Sequence, residues 1–460
     1  MRNKLLIVLF LAICLVPSAG LAVFGPAQAA ANETLADTPS LTAEGGGLNL
    51  NLLDDLSDWM SDRFALRQEL VTAQHALMAA VFHESGTDEV ILGSDGWYFY
   101  SETLDDWQAV NTMTDREILA AARTLALMQE YCESQGVTFL FTAAPNKNSL
   151  YGEYMPARYA AGDTADKNLT RLTAALADAE VSYADLYAAL SESDEILYRK
   201  QDSHWNARGA ALAGDTILTA LGLDFDPFFD EAWTAVYEEV GDLYEIVYPT
   251  GTHLDEDQAC DRAFTFTYLT AYDAEQDSIT VMTENEGKSG SLLMFRDSFG
   301  KALHPYLAEV FGSAYFRRTD GGYDLTLLDT TGADTLIIEL AERDLSNLNT
   351  NAPVFPAPER EMTAEETVIL TGEAMTVTDA DEVLTGYVKL TGSLTAGQID
   401  DDSPICIQVG DAVYEATPAG EAEEGDLPYT AYIPKEVWSG ADSVFLLVVQ
   451  NGQPVKCRIK

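Results

Sequence analysis

The sequence predicts an α/β fold, a mainly parallel sheet layered with helices, followed by a tail built from strands. Three observations carry this reading. Helical and strand periods alternate between about residue 114 and residue 340. Residues 137–143 and 335–340 are continuous apolar runs, the kind buried on both faces of a parallel sheet. Beyond Pro353, Pro356 and Pro358 the helical period disappears and short alternating runs take over. At 460 residues the chain exceeds one ordinary core, so two or three domains are expected.

The elements follow in order. Arg2 and Lys4 precede an apolar run over residues 5–24, and Ala27-Gln28-Ala29 then offers a small-x-small cleavage pattern. Two readings stay open for residues 1–30: a cleaved signal peptide or an uncleaved membrane anchor. Both export the rest of the chain. Cys14 follows Ile13, which argues against a lipoprotein cleavage site. Residues 31–52 are small and polar and end near Gly45-Gly46-Gly47, a flexible spacer. Over 52–82 the pattern is helical, with Leu66, Leu70, Ala73, Leu77 and Val81 on one stripe. Two short strands, 90–92 and 97–100, flank the turn Gly93-Ser94-Asp95-Gly96.

Thr114 with Glu117 is a capping box. The helix it opens presents Ile118, Leu125, Met128 and Cys132 and stops at Gly136. Further helices are expected over 168–179, 207–221 and 299–311, and strands over 181–183 and 291–295. In the tail, strands are expected over 375–378, 387–390, 405–409, 430–433, 444–449 and 455–459. Asn451-Gly452 is a strong hairpin signal between the last two. This is the pattern of an all-β sandwich.

Composition narrows the function. With 26 basic and 75 acidic side chains the formal net charge is −49. Such a surface repels nucleic acid and anionic headgroups, so no nucleic-acid partner is expected. Hydrophobic residues make up 47%, too many for a disordered chain. The exported part holds Cys132, Cys260, Cys406 and Cys457, with no C-x-x-C pair. Cys406 and Cys457 share the strand-rich tail, so a disulfide and two buried free thiols are both open. No metal is expected, because neither His-x-x-x-His nor a His/Cys cluster occurs.

Two short segments carry candidate chemistry. In Asp202-Ser203-His204, residues i and i+2 of an extended chain share a side. The carboxylate can then fix the tautomer and leave the other ring nitrogen as a base. A histidine that merely caps the helix after Asn206 fits as well. Ser298 stands in Arg296-Asp297-Ser298-Phe299-Gly300 between a strand and a helix, where a hydroxyl is presented at a sheet edge. The helix amino end there suits an oxyanion. A plain helix N-cap is the other reading.

Together, four stretches resemble the SGNH hydrolase-like domain of the AlgX/AlgJ family of exported polysaccharide O-acetyltransferases and the related Gram-positive DHHW proteins. They are Gly93-Ser94-Asp95-Gly96-Trp97-Tyr98-Phe99-Tyr100, Pro145-Asn146-Lys147, Asp202-Ser203-His204-Trp205-Asn206, and Arg296-Asp297-Ser298-Phe299-Gly300. Glu342-Arg343-Asp344-Leu345 is a weaker fifth. The resemblance implies an SGNH hydrolase-like α/β/α sandwich over 53–352, joined by a linker at 353–362 to a β-sandwich at 363–460 outside the resemblance.

It also implies a triad of Asp202 as orienter, His204 as base and Ser298 as nucleophile. The implied partners are a cell-surface polysaccharide and a membrane acyltransferase that hands over acetyl, with no cofactor. The N-terminal segment adds a membrane contact if uncleaved.

Candidate substrate contacts are Lys147, Arg296, Arg343, Trp205 and Asn206. Packing and carboxylate bracing are the competing roles for the basic ones. Trp97 is expected in the core, His253 and His304 to be incidental, and Gly241-Asp242-Leu243 to be a turn. A carbohydrate acetyl esterase with the same triad and a non-catalytic glycan-binding scaffold are the alternatives. The acidity favours a neutral or cationic polysaccharide over a polyuronate.

Overall fold

The fold is that of a computed structural model describing residues 7, 20, 21, 23, 25–27, 35–43, 46–272, 277–319, 321–423, 425–439 and 443–459. The apolar run 5–24, and with it the choice between leader and anchor, lies almost wholly outside these residues. Among the described residues no helix is long and apolar enough to cross a membrane.

The stretch expected to be helical over 52–82 forms two helices, Leu52–Arg63 and Arg67–Phe82. Leu66 breaks them with a left-handed φ of 62°. Its apolar stripe stays largely outside the core: Leu70, Leu77 and Val81 are exposed. Then come the hairpin β1 (Val90–Leu92) and β2 (Tyr98–Tyr100). The strands that follow are β3 (Thr138–Ala144) and β4 (Tyr183–Ala184), a separate antiparallel pair β5 (Trp233–Val236) and β6 (Asp257–Cys260), then β7 (Thr267–Tyr268), β8 (Thr280–Glu284), β9 (Ser291–Arg296), β10 (Ser313–Arg318) and β11 (Thr335–Ala341).

The main sheet has the order β4-β3-β11-β9-β10-β8-β7. Its first five strands run parallel, and β8 and β7 add an antiparallel edge. Both faces are buried, as the apolar runs require. Leu292 and Met294 of β9 point into one core with the helices Ala207–Ala220 and Gly300–Val310. Leu293 and Phe295 point into the other, with Asp115–Ser134 and Asn168–Asp178. The capping box at Thr114 and Glu117 is formed. Strands β10, β8 and the edge strand β7 have no counterpart in the sequence reading. β7 is exposed on both faces, so its pattern carries no burial period.

The tail folds as β12 (Glu366–Leu370), β13 (Thr376–Asp379), β14 (Tyr387–Thr395), β15 (Ile405–Val409), β16 (Ala412–Ala416), β17 (Asp426–Pro434), β18 (Val444–Gln450) and β19 (Gln453–Ile459). Two sheets, β12-β19-β18-β15-β16 and β13-β14-β17, share one core that includes Leu390, Ile433, Ile407 and Val448. A short helix, Lys435–Ser439, interrupts the strand pattern. Asn451 and Gly452 both adopt positive φ, as a two-residue hairpin loop requires.

Cys406 and Cys457 are both free and buried, so the disulfide does not form. Cys406 packs with Leu447 on one face of its sheet, and Cys457 packs in the shared core on the other. Strand β18 also lies between them. Against the α/β region the tail is pinned by Glu415, whose carboxylate accepts from Arg123 (2.7 and 2.6 Å) and Arg360 (2.6 Å).

Candidate active site

Parallel strands end on one edge of a sheet, and ligands of open α/β folds bind there. Pro145 to Lys147 follow β3, Asp297 and Ser298 follow β9, and Glu342 to Asp344 follow β11. The turn at Ser298 is held from below. The Asp297 carboxylate accepts the N–H of Phe299 (2.8 Å) and of Ala341 (2.7 Å), joining the β9 turn to β11. Gly300 is required by packing: a Cβ there would lie 2.4 Å from Cδ of Arg296. Phe299 N–H is spent on Asp297, so the oxyanion donors expected around Ser298 cannot include it.

The second segment sits on the loop before helix Ala207–Ala220. Asn206 caps that helix, its side chain accepting Gly209 N–H at 2.8 Å. Asp202 Oδ1 accepts both the backbone N–H and Nδ1 of His204, at 3.0 and 2.8 Å. On the other side of the ring, Nε2 lies 2.9 Å from Ser298 Oγ. Asp202, His204 and Ser298 thus stand in one unbroken hydrogen-bond line.

Lys147 explains why the loop stays in place. Its ammonium donates to the carbonyls of Arg199 (3.2 Å), Lys200 (3.0 Å) and Asp202 (2.5 Å). It lies beneath the loop over the rings of Trp97 and Phe99. Burial pushes the ammonium down to about 8.

Asp242, expected in a turn, instead opens the helix Asp242–Val247 and is also here. Its carboxylate accepts the N–H of Ser203 at 2.7 Å and the Ser203 hydroxyl at 2.5 Å. Its Oδ2 lies 3.4 Å from His204 Nδ1. Burial opposes a charged imidazole, but the carboxylates of Asp202 and Asp242 outweigh it and raise His204 to about 10. Burial likewise opposes charge on Asp202, yet its bonds to His204 and the nearby Arg199 guanidinium hold its carboxyl well below the usual range. Behind the site, burial pushes Glu342 up to about 7.

A cleft of about 770 Å³ exposes His204, Ser298, Ser203 and Asp242. Of the proposed substrate contacts, Arg343 lines it, its guanidinium 5.6 Å above the Phe299 ring. The other four are placed elsewhere. Lys147 is under the loop. Arg296 is fully buried, donating to Asp277, Ser278 and Asp297. Trp205 packs edge-on against Phe299 in the core, and Asn206 is a cap. All four are buried with their partners inside the protein, so a sugar cannot reach them. Trp97 is buried in an aromatic stack with Tyr151 and Tyr154.

Among the described residues, Asp202, His204 and Asp242 form a group whose potential ligand atoms lie within 4.8 Å of one another. Nδ1 and all four carboxylate oxygens are engaged in hydrogen bonds within the group and to Ser203, and Asp202 Oδ2 also faces Arg199. The donor set fits a hydrogen-bonded relay better than an open metal site.

Residues 90–271 match the family model of the SGNH hydrolase-like domain, acetyltransferase AlgX. That span contains Lys147, Asp202 and His204 and ends before Ser298. The chain thus carries an SGNH-like domain, with a strand-rich C-terminal region beyond it. Among solved structures it is similar to PatB1 of Bacillus cereus, with 18% identity over 56% of this chain and 97% of that one and a TM-score of 0.46. A DHHW family protein from Eubacterium siraeum is similar at 18% identity, 58% and 97% coverage and a TM-score of 0.43. AlgX of Pseudomonas aeruginosa is similar at 13% identity, 78% and 89% coverage and a TM-score of 0.38. No curated protein sequence matches the chain.

Proposed function

We propose that the protein is an exported serine-type O-acetyltransferase that moves acetyl onto hydroxyls of a cell-surface polysaccharide. The observation that carries this reading is the hydrogen-bond line from Asp202 through His204 to Ser298, open to a cleft at the strand ends. The match to an acetyltransferase family model supports the choice of acyl group. The apolar run at residues 5–24 supports export, and a membrane acyltransferase is the proposed donor.

His204 Nε2 takes the Ser298 proton as Oγ attacks the acetyl carbonyl carbon. The donor's leaving group departs with that proton, and an acetyl ester remains on Ser298. A sugar hydroxyl then gives its proton to Nε2 and attacks the ester. Ser298 leaves and recovers the proton. Asp202 keeps Nδ1 protonated throughout. Arg343 lines the cleft with its guanidinium 5.6 Å from the ring of Phe299, the residue after Ser298, and it is proposed to face the oxyanion. The net charge of −49 supports a neutral or cationic glycan.

The test is acetyl transfer from an activated acetyl ester, with and without a neutral oligosaccharide. Acetylated oligosaccharide, with acetate release falling as acceptor is added, is the expected result. Acetate release that acceptor leaves unchanged makes the protein an esterase instead. Ser298→Ala that retains acetyl transfer removes the triad from the account.

A further inference from the structure

The proposed triad uses one carboxylate, but the site holds two. We propose that Asp242 is a positioning residue for His204: a second carboxylate on Nδ1 that shares the ring's N–H with Asp202 and governs when His204 can accept the Ser298 proton. This deepens the acyltransferase reading and rests on it.

Three features place Asp242 deliberately. Gly241 lets the chain come close: a Cβ there would lie 2.3 Å from the carbonyl oxygen of Gln201. Any other residue forces the 241–242 segment away from the loop. The backbone N–H of Asp242 donates to Asp202 Oδ2 at 3.2 Å, tying the two carboxylates together. Ser203 then clamps the Asp242 side chain by its N–H and its hydroxyl, and its Oγ also sits 3.2 Å from His204 Nδ1. The result is a ring nitrogen facing Asp202, Asp242 and Ser203 at once, while Nε2 faces Ser298.

The other charges nearby do not cancel this arrangement. Arg199 pairs with Asp202 through Oδ2 and leaves Oδ1 to His204, Lys147 meets the loop through backbone carbonyls, and Arg343 reaches the ring only across Phe299. Two carboxylates around one imidazole favour its charged form. They stabilise the imidazolium that proton transfer from Ser298 creates. They also keep the resting ring protonated to higher pH, so the base is withheld near neutrality. About a third of the Asp242 side chain is exposed to the cleft, whereas Asp202 is buried. Asp242 is therefore the one of the two carboxylates within reach of a molecule bound in the cleft.

The experiment is an NMR titration of the His204 ring in the full chain, wild type against Asp242→Asn, with resonances assigned through His204→Gln. The expected result is a midpoint lowered by about one pH unit or more in Asp242→Asn, a tenfold change in proton affinity. Ser203→Ala, which keeps both carboxylates but frees Asp242, should lower it less, and serves if Asp242→Asn fails to fold. In parallel, the acid limb of Ser298 acetylation should move by the same amount in the same direction. An unchanged midpoint overturns the proposal even when Ser298 is acetylated normally. A lowered midpoint in a protein that never acetylates Ser298 upholds the Asp242–His204 coupling and overturns the acyltransferase reading instead.

Discussion

The SGNH-like region and the C-terminal sandwich bury apolar side chains by the same alternation, yet they treat charge differently. At the strand ends of the first lie Lys147, Asp202, Arg296, Asp297, Glu339 and Glu342, all buried. In the sandwich the one buried ionisable carboxylate is Glu415, among the described residues, and it faces outward to Arg123 and Arg360. Burying charge is expensive unless every group is paired. The first region gathers a group of such charges around one serine and one histidine and buries others, such as Asp215 and Glu309, elsewhere, whereas the second bears the cost only at its border. The difference locates the chemistry in one region and assigns a joining role to the charges of the other.

The comparison is broken most severely by changing the line itself. Asp202→Asn or His204→Gln should slow acetylation of Ser298 by about 10²–10⁴-fold, read by rapid-quench mass spectrometry. The sheet core is untouched, so thermal denaturation should show a folded protein. Next is Lys147→Met, which fills the same space without the ammonium. Three carbonyls lose their donor and the loop carrying Asp202 shifts, so acetylation should fall by up to about 10²-fold. A variant with wild-type rate would show that the loop holds itself.

Glu415→Gln sharpens the contrast from the other side. It weakens two arginine pairs at the border and should cost about 1–3 kcal/mol of stability by denaturant titration. Acetylation of Ser298 should not change. If it does, the sandwich takes part in the chemistry.

The smallest effect is in the pH dependence of stability. His204 rises from 6.5 to about 10 in the fold, because its carboxylate partners outweigh burial. Its pairing therefore stabilises fully below about 6.5 and fades as pH rises through about 10. Asp202, held below the usual range, stays charged across that window. The loss of melting temperature in His204→Gln should be larger at the acid end of the window than at the alkaline end. Equal losses would show that the pairing contributes little.

Much of this site was legible because it is local. Asp202 and His204 are two residues apart, and Ser298 sits at a strand-to-helix turn that the apolar pattern announces. Asp242 was not legible: it lies 39 residues from Ser203 and joins it through a backbone N–H that no motif records. The one available signal was Gly241, whose need for close approach appears only once the partner loop is known. For Lys147 and Arg296 a structural role was one of the two readings, but the partners were not legible: backbone carbonyls for both and, for Arg296, the Asp277 carboxylate. Trp205 and Asn206 meet a neighbouring ring and a helix end, which spacing cannot reveal. Cys406 and Cys457 failed as a disulfide for a related reason. Strand parity within each strand was readable, but which face each cysteine takes depends on register.

The most direct test of the account is the site of acylation. Purified protein is exposed to an activated acetyl ester, quenched, digested and read by tandem mass spectrometry. One acetyl ester is expected on Ser298, strongly reduced in His204→Gln and absent in Ser298→Ala. An acetyl group on another residue, or an equal yield on Ser298 without His204, would contradict it.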